Sequence, residues 1–226
     1  MTDQALHLQE RVERDIEGLR QRLRRMADRV GLQLKDAMTA FADCNRSMAY
    51  MVVLRDHSID VMESHIDRLC QEFLVRHMPV SEQLRFAVAC AKVNSELERI
   101  GDYAEAIARR SIAIAACRDT GFREPILRMS EAAFGMLALS IRAFLDRDID
   151  AAMQTLEADR EVDRMNSALF HDLGRPDQGP RDLEVRFALL GLVNRLERVA
   201  DRACNIAEEA VYVARGQVLR HLPRSD

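Results

Sequence analysis

The 226-residue chain is short of turn formers, with 9 Gly and 5 Pro, roughly half the usual share. Few turns are therefore available, and most of the chain must lie in long elements. Aromatic residues are scarce as well, at 8 Phe, 3 Tyr and no Trp. Ala, Leu, Met, Arg and Glu are abundant instead; all five favour helices, whereas sandwiches and barrels draw on β-branched and aromatic residues. An all-β fold is excluded. Charge of one sign is also lacking, since 33 basic residues nearly balance 37 acidic ones for a net charge of −4. No overall field draws the chain to nucleic acid. The longest uncharged stretches, 47–54 and 132–141, fall well short of the roughly 20 apolar residues that a membrane span needs. The polar start, Met1 to Arg14, reads as neither an export signal nor an anchor. Five scattered cysteines (Cys44, Cys70, Cys90, Cys117, Cys204) without a CxxC pair read as reduced thiols in a cytosolic protein.

What is present is a series of long amphipathic segments separated by a few clear breaks. His77-Met78-Pro79-Val80-Ser81, the stretch from Arg118 to Pro125, and Gly174 to Pro180 interrupt the chain, with Gly216 near its end. Polar clusters at Asp43-Cys44-Asn45 and Asp146-Arg147-Asp148 can cap new helices. The breaks predict six helices over roughly 4–43, 46–76, 81–117, 123–145, 148–173 and 180–215.

The segments repeat. Shifting the first half by 103 positions lays Met26 to Asp60 on Met129 to Asp163, matching Leu34 with Leu137, Phe41 with Phe144, Asp56 with Asp159 and Asp60 with Asp163. A shift of 99 lays Leu97-Glu98-Arg99-Ile100-Gly101-Asp102 on Leu196-Glu197-Arg198-Val199-Ala200-Asp201. The economical architecture is all-α: two tandem three-helix bundle repeats, six long antiparallel helices, with units at 1–119 and 120–226.

Each unit carries two carboxylate pairs at i, i+4: Asp56 with Asp60 and Glu98 with Asp102, then Asp159 with Asp163 and Glu197 with Asp201. Like charges at this spacing share a helix face and cost about 0.2–0.5 kcal/mol. In the third helix the acids extend the stripe Leu84, Val88, Ala91, Ser95; in the sixth they extend Leu183, Phe187, Leu190, Asn194. Both stripes have heptad-like spacing and are expected to be buried seams. Folding helices two and three about Pro79 places Asp60 and Glu98, each 19 residues away, at one height, and Asp56 and Asp102, each 23 away, beside them. The same register sets Leu74 against Leu84 and Cys70 against Val88. About Pro180 it sets Asp163 near Glu197, Asp159 near Asp201, Asn166 against Asn194 and Phe170 against Leu190.

Four carboxylates in one seam repel strongly, since two charges about 4 Å apart cost ~4 kcal/mol even at an effective dielectric of 20. Protons, arginines or metal ions must compensate. Oxygen ligands suit Mg²⁺, Mn²⁺, Ca²⁺ or iron, while an ion-pair lattice would use Arg99 and Arg198; the spacing leaves both open. Three functional classes stay in view at this point: a metal-binding adaptor, a carboxylate-bridged metalloenzyme of the di-iron type, and a metal-free structural bundle. The second lacks its usual signature, because no Glu-x-x-His occurs in the sequence. His57 and His65 near the first cluster read as solvent-facing or hydrogen-bonded histidines and not as ligands. The basic run from Arg20 to Arg29 reads as a solvated helix face, and no nucleophile or phosphate-loop motif stands out. No catalytic residue is assigned.

The segments Glu98-Arg99-Ile100-Gly101-Asp102-Tyr103-Ala104 and Glu197-Arg198-Val199-Ala200-Asp201-Arg202-Ala203-Cys204-Asn205 resemble the signature segments of the PhoU family. The resemblance spans nearly the whole chain. It implies a cytoplasmic, non-enzymatic regulator of phosphate transport and phosphate-starvation signalling, held at the inner face of the membrane through its partners. Those partners would be the ATPase subunit of the phosphate ABC transporter and the phosphate-sensing histidine kinase, with a homodimer as the assembly. It further implies metal ions, of iron, zinc, manganese or magnesium, on the E(D)-x-x-x-D faces. By position the ligands would be Glu98, Asp102, Glu197 and Asp201, with Asp56, Asp60, Asp159 and Asp163 opposite. The second repeat departs at Ala200 and Arg202, where the first has Gly101 and Tyr103, so a more crowded second site is expected.

Overall fold

The computed structural model describes the backbone at residues 3–116, 121–175 and 180–216. Its helices are α1 (Asp3–Ala42), α2 (Arg46–Arg55), α3 (His57–His77), α4 (Ser81–Ile114), α5 (Arg123–Asp146), α6 (Ile149–Leu173) and α7 (Pro180–Arg215). No strand occurs among the described residues. Cys117 and the Asp177-Gln178-Gly179 stretch fall outside them.

The predicted second helix is divided in two at Asp56. There the Ser58 hydroxyl donates to the Arg55 carbonyl at 2.7 Å, and the Ile59 amide closes a tighter bond to the Asp56 carbonyl at 2.8 Å. A side chain competing for a backbone acceptor interrupts the i→i−4 ladder and kinks the helix. The other boundaries follow the polar clusters. Asn45 caps α2 by accepting from the Met48 amide at 3.0 Å, and Asp148, at the same repeat position, caps α6 through the Ala151 amide at 2.9 Å. Met78 and Arg147 end α3 and α5 in the left-handed conformation.

Helices α1 to α4 form the first three-helix unit and α5 to α7 the second, with α2 and α3 acting as one kinked element. α4 and α7 pack most extensively against each other, and α1 also meets α5. The α1 stripe Leu19, Leu23, Met26, Val30, Leu34, Phe41 is buried; each large side chain removed from water contributes about 1.5–3 kcal/mol. Phe86 of α4 stacks on Phe144 of α5 with centroids 5.7 Å apart. The α1 basic run belongs partly to this junction and is not only a solvated face: Arg20 lies over Phe86, and Arg24 pairs with Asp146 at 2.9 Å.

One expectation about the seams is corrected. The apolar ends of both stripes lie at the surface, with Leu84 and Val88 of α4, and Leu183 and Phe187 of α7, all exposed. Phe170 is exposed as well, and Cys70 neighbours Cys90, two positions from Val88. α4 packs against α1, α2 and α3 of its own unit and against α7 of the other. Its buried face is therefore centred on Phe86, Cys90, Val93, Leu97 and Ile100, and the stripe bearing the acids lies along its margin.

Candidate metal centre at the carboxylate face

The marginal position of the stripe gives the acids access to water while one wall stays protein. The kink between α2 and α3 turns Asp56 and Asp60 toward α4, where oxygen atoms of Asp56, Asp60 and Asp102 all lie within 4.8 Å of one another. The register deduced about Pro79 therefore holds for these three. Glu98, one turn before Asp102, feels the charge of Asp102, Glu63 and Asp60. Gly101 permits the approach: a Cβ there would stand 2.9 Å from Ile59 Cδ1 and 3.7 Å from an Asp56 carboxylate oxygen.

Burial sets the electrostatics of this face, and the crowding of like charges adds to it. Burial pushes the Asp56 carboxyl up to about 6, opposed by a hydrogen bond from Gln33 and reinforced by Glu105, Asp102 and Asp60. Burial raises Glu98, with Asp102, Glu63 and Asp60 adding to it, and raises Asp102, with Asp60 and Glu105 adding. Arg99 is exposed and acts on Glu98 and Asp102 only through space. Among the described residues no arginine or lysine makes a salt bridge to Asp56, Asp60, Glu98 or Asp102; His57, itself exposed, reaches within 3.7 Å of Asp60. His65 contacts Arg68 instead.

Gln33 of α1 was not found from sequence. It is 5% exposed, and its side-chain amide donates to an Asp56 carboxylate oxygen at 2.8 Å. Because the carboxylate can only accept, the amide orientation is fixed, and the Oε1 left over has no hydrogen-bond partner. Its signal in the sequence is a polar residue on the apolar α1 stripe Met26, Val30, Gln33, Ala37. Three clustered carboxylates beside a buried amide with an unsatisfied oxygen fit a hard cation that takes oxygen ligands.

In the second unit Asp159 is buried, Asp163 is exposed, and Glu197 and Asp201 are half-buried. Burial raises the Glu197 carboxyl, and Asp201, Asp163 and Asp159 add to it against Arg198. Asp201, Asp163 and Asp159 are therefore electrostatic neighbours of Glu197. Arg198 is exposed. Among the described residues only Asp56, Asp60 and Asp102 form so close a group of three acids. Arg202 does not crowd this face, contrary to expectation: it donates to Glu96 of α4 at 3.2 Å, beside Asn205.

Away from these faces, a groove of about 880 Å³ runs between α1 and α5, walled by Leu34, Met38, Leu127, Phe134 and Ile141. No described helix is long and apolar enough to cross a membrane.

Fold and site together define an all-helical tandem-bundle protein whose two units each present a row of carboxylates along the margin of the core. A family model described as the PhoU domain matches twice, at residues 23–111 and 126–210. The phosphate-specific transport system accessory protein PhoU homolog of Pseudomonas putida is 30% identical over 219 residues, covering 96% of this chain and 85% of that protein. Its Escherichia coli K12 counterpart is 27% identical over 217 residues, covering 96% and 90%. The crystal structure of PhoU from Pseudomonas aeruginosa superposes with a TM-score of 0.87 at 29% identity, covering 91% of this chain and 99% of that one. That of the phosphate transport system regulatory protein PhoU from Streptococcus pneumoniae gives 0.86 at 25%, covering 92% and 99%. The chain belongs to the PhoU family.

Proposed function

We propose that this protein is an accessory regulator of phosphate transport that holds the phosphate-starvation response off when phosphate is plentiful, acting by contact with the transporter ATPase and the phosphate-sensing kinase. Metal ions of iron, zinc, manganese or magnesium bind the carboxylate faces, through Asp56, Asp60, Glu98 and Asp102 in the first unit and Asp159, Asp163, Glu197 and Asp201 in the second. The observation that carries this reading is the convergence of Asp56, Asp60 and Asp102 on a fold shared along nearly its whole length with PhoU proteins.

A bound cation offsets the mutual repulsion of the first-unit carboxylates, which Arg99 opposes only through space. The carboxylates hold it, Gln33 orients Asp56, and Gly101 lets α4 come close enough for Asp102 to join. The α1/α5 groove, built from both units, and the exposed Leu183 and Phe187 supply apolar surface for partners and for a second copy of the chain.

The test is genetic and biochemical together. Deleting the gene should switch on a phosphate-starvation reporter in phosphate-rich medium, and an Asp102→Asn, Asp201→Asn double variant should fail to restore repression. A silent reporter in the deletion strain would sink the regulatory reading. Elemental analysis showing equal metal in wild type and double variant would sink the site assignment.

A further inference from the structure

The crossing of α4 and α7 carries two quartets of side chains at matching repeat positions, and their charges are balanced in different ways. In the first, Lys92 reaches Glu209 at 2.9 Å and Arg202 reaches Glu96 at 3.2 Å, so two bases meet two acids. The shift of 99 lays Lys92 on Gly191, Glu96 on Arg195, Tyr103 on Arg202 and Arg110 on Glu209. Where the first quartet has two acids the second therefore has two arginines, and where the first has two bases the second has neutral residues. Among the described residues neither Arg110 nor Arg195 makes an ion pair. Arg110 lies across Gly191, where an added Cβ would stand 3.0 Å from its Cζ. Arg195, one turn further along α7, lies over the Tyr103 ring, 5.8 Å from its centroid. All four residues are half-buried. Burial pulls the Arg110 guanidinium below its usual range, and the charge of Arg195 adds to the effect.

We propose that Arg110 and Arg195 form an oxyanion site that takes a phosphate dianion, either free inorganic phosphate or the phosphoryl group of a monoester. The ligand supplies the two negative charges that Glu96 and Glu209 supply in the first quartet. Arg110 donates to the Ala106 carbonyl at 3.1 Å and Arg195 to the Asn194 side-chain oxygen at 3.3 Å, which leaves most of the N–H donors of each guanidinium for a ligand. Planar forks of this kind make paired, charge-assisted bonds to phosphate oxygens. Arg110 belongs to the first unit and Arg195 to the second, so a bound dianion ties the units together. The site uses none of the eight carboxylates and does not rest on the metal-binding reading.

The experiment is calorimetric titration of the full chain at constant ionic strength, with inorganic phosphate in one arm and O-phosphoserine in the other, before and after chelator treatment. Wild type should bind one ion per chain, and Arg110→Gln and Arg195→Gln should each weaken binding about ten-fold or more. Arg128→Gln, which removes an exposed arginine of α5, should leave it unchanged. Phosphate should also raise the melting temperature of wild type and not that of Arg110→Gln. Should a glutamine variant fold poorly, Arg195→Lys, which keeps the charge but loses the fork, should weaken binding in its place. Binding in both arms identifies free phosphate as a sufficient ligand, and binding of O-phosphoserine alone identifies a phosphorylated molecule; either supports the site. No binding in either arm, undiminished binding by folded Arg110→Gln and Arg195→Gln, or binding that disappears with chelator treatment and so runs through metal would overturn it.

Discussion

Asp56 shows most plainly how this protein sets stability against function. A carboxyl whose folded pKa is raised stabilises the fold only while protonated, so its contribution is present below the unfolded value of 3.8 and is lost as pH rises to about 6. At neutral pH the charged Asp56 opposes folding of the metal-free chain. Replacing it with asparagine should therefore raise the stability of chelator-treated protein at about pH 7 by about 1–2 kcal/mol, allowing for solvent screening. Wild type and variant should converge near pH 4. Thermal melts at the two pH values check this, and a variant less stable than wild type at neutral pH would contradict it. Asp15 has the opposite sign. A hydrogen bond from His77, at 2.8 Å, holds its carboxyl below the usual range, with Arg76 adding to the effect. Its contribution is present above 3.8 and is lost as pH falls through the lowered value. Asp15→Asn should thus lose stability at neutral pH relative to wild type, with the gap closing in acid melts as pH falls below 3.8 through the lowered value. The eight carboxylates were legible in the sequence because they recur at two fixed offsets. Gln33 was not, because its partner Asp56 is 23 residues away on another helix and only packing brings α1 to the α2/α3 kink.

At the scale of elements, the repeat keeps the same crossing with differently shaped parts. The first unit has Ile59 and Gly101, and the second has Val162 and Ala200 at the same repeat positions. One methyl group has in effect moved from one helix to the other. Gly101→Ala in the native background sets a Cβ 2.9 Å from Ile59 Cδ1 in a fully buried contact, where overpacking costs about 1–3 kcal/mol. Ile59→Val removes the interfering carbon. A double-mutant cycle in denaturant should return a coupling of about 1 kcal/mol or more in favour of the variant carrying both substitutions, whereas additive effects would show that the contact is not tight. Helix boundaries were read to within a few residues because caps and breakers are local signals. The split at Asp56 was missed because it depends on one hydroxyl, Ser58, choosing a backbone acceptor. The stripe on α4 was placed too deep because a heptad rule assumes one partner helix, and α4 packs against helices of both units.

Across the whole molecule, the two units join through paired contacts between antiparallel α4 and α7 that share the repeat offset of 99. Lys92 reaches Glu209 at 2.9 Å, and at the matching positions Arg110 lies over Gly191. Arg202 reaches Glu96 at 3.2 Å, and at the matching positions Arg195 lies over the Tyr103 ring. A Cβ at Gly191 would overlap the Arg110 guanidinium. Gly191→Ala should therefore push the Arg110 side chain off its bond to the Ala106 carbonyl and cost about 1 kcal/mol or less. Adding Arg110→Ala should reverse that loss and expose the helix-propensity gain of about 1 kcal/mol that alanine brings over glycine. Equilibrium unfolding of the two variants decides it, and a single variant as stable as wild type would show that α7 does not need glycine there.

Composition, periodicity and repetition by themselves determined that this chain is helical, that it is two copies of one unit, and that acids recur on one face of each; these properties are local or translational along the chain. The tertiary structure alone decided which side of each helix is buried and which acids meet. Those outcomes depend on side chains from three helices arriving at one point, as Gln33, Asp56 and Asp102 do. A shared repeat pattern gives no account of such a meeting.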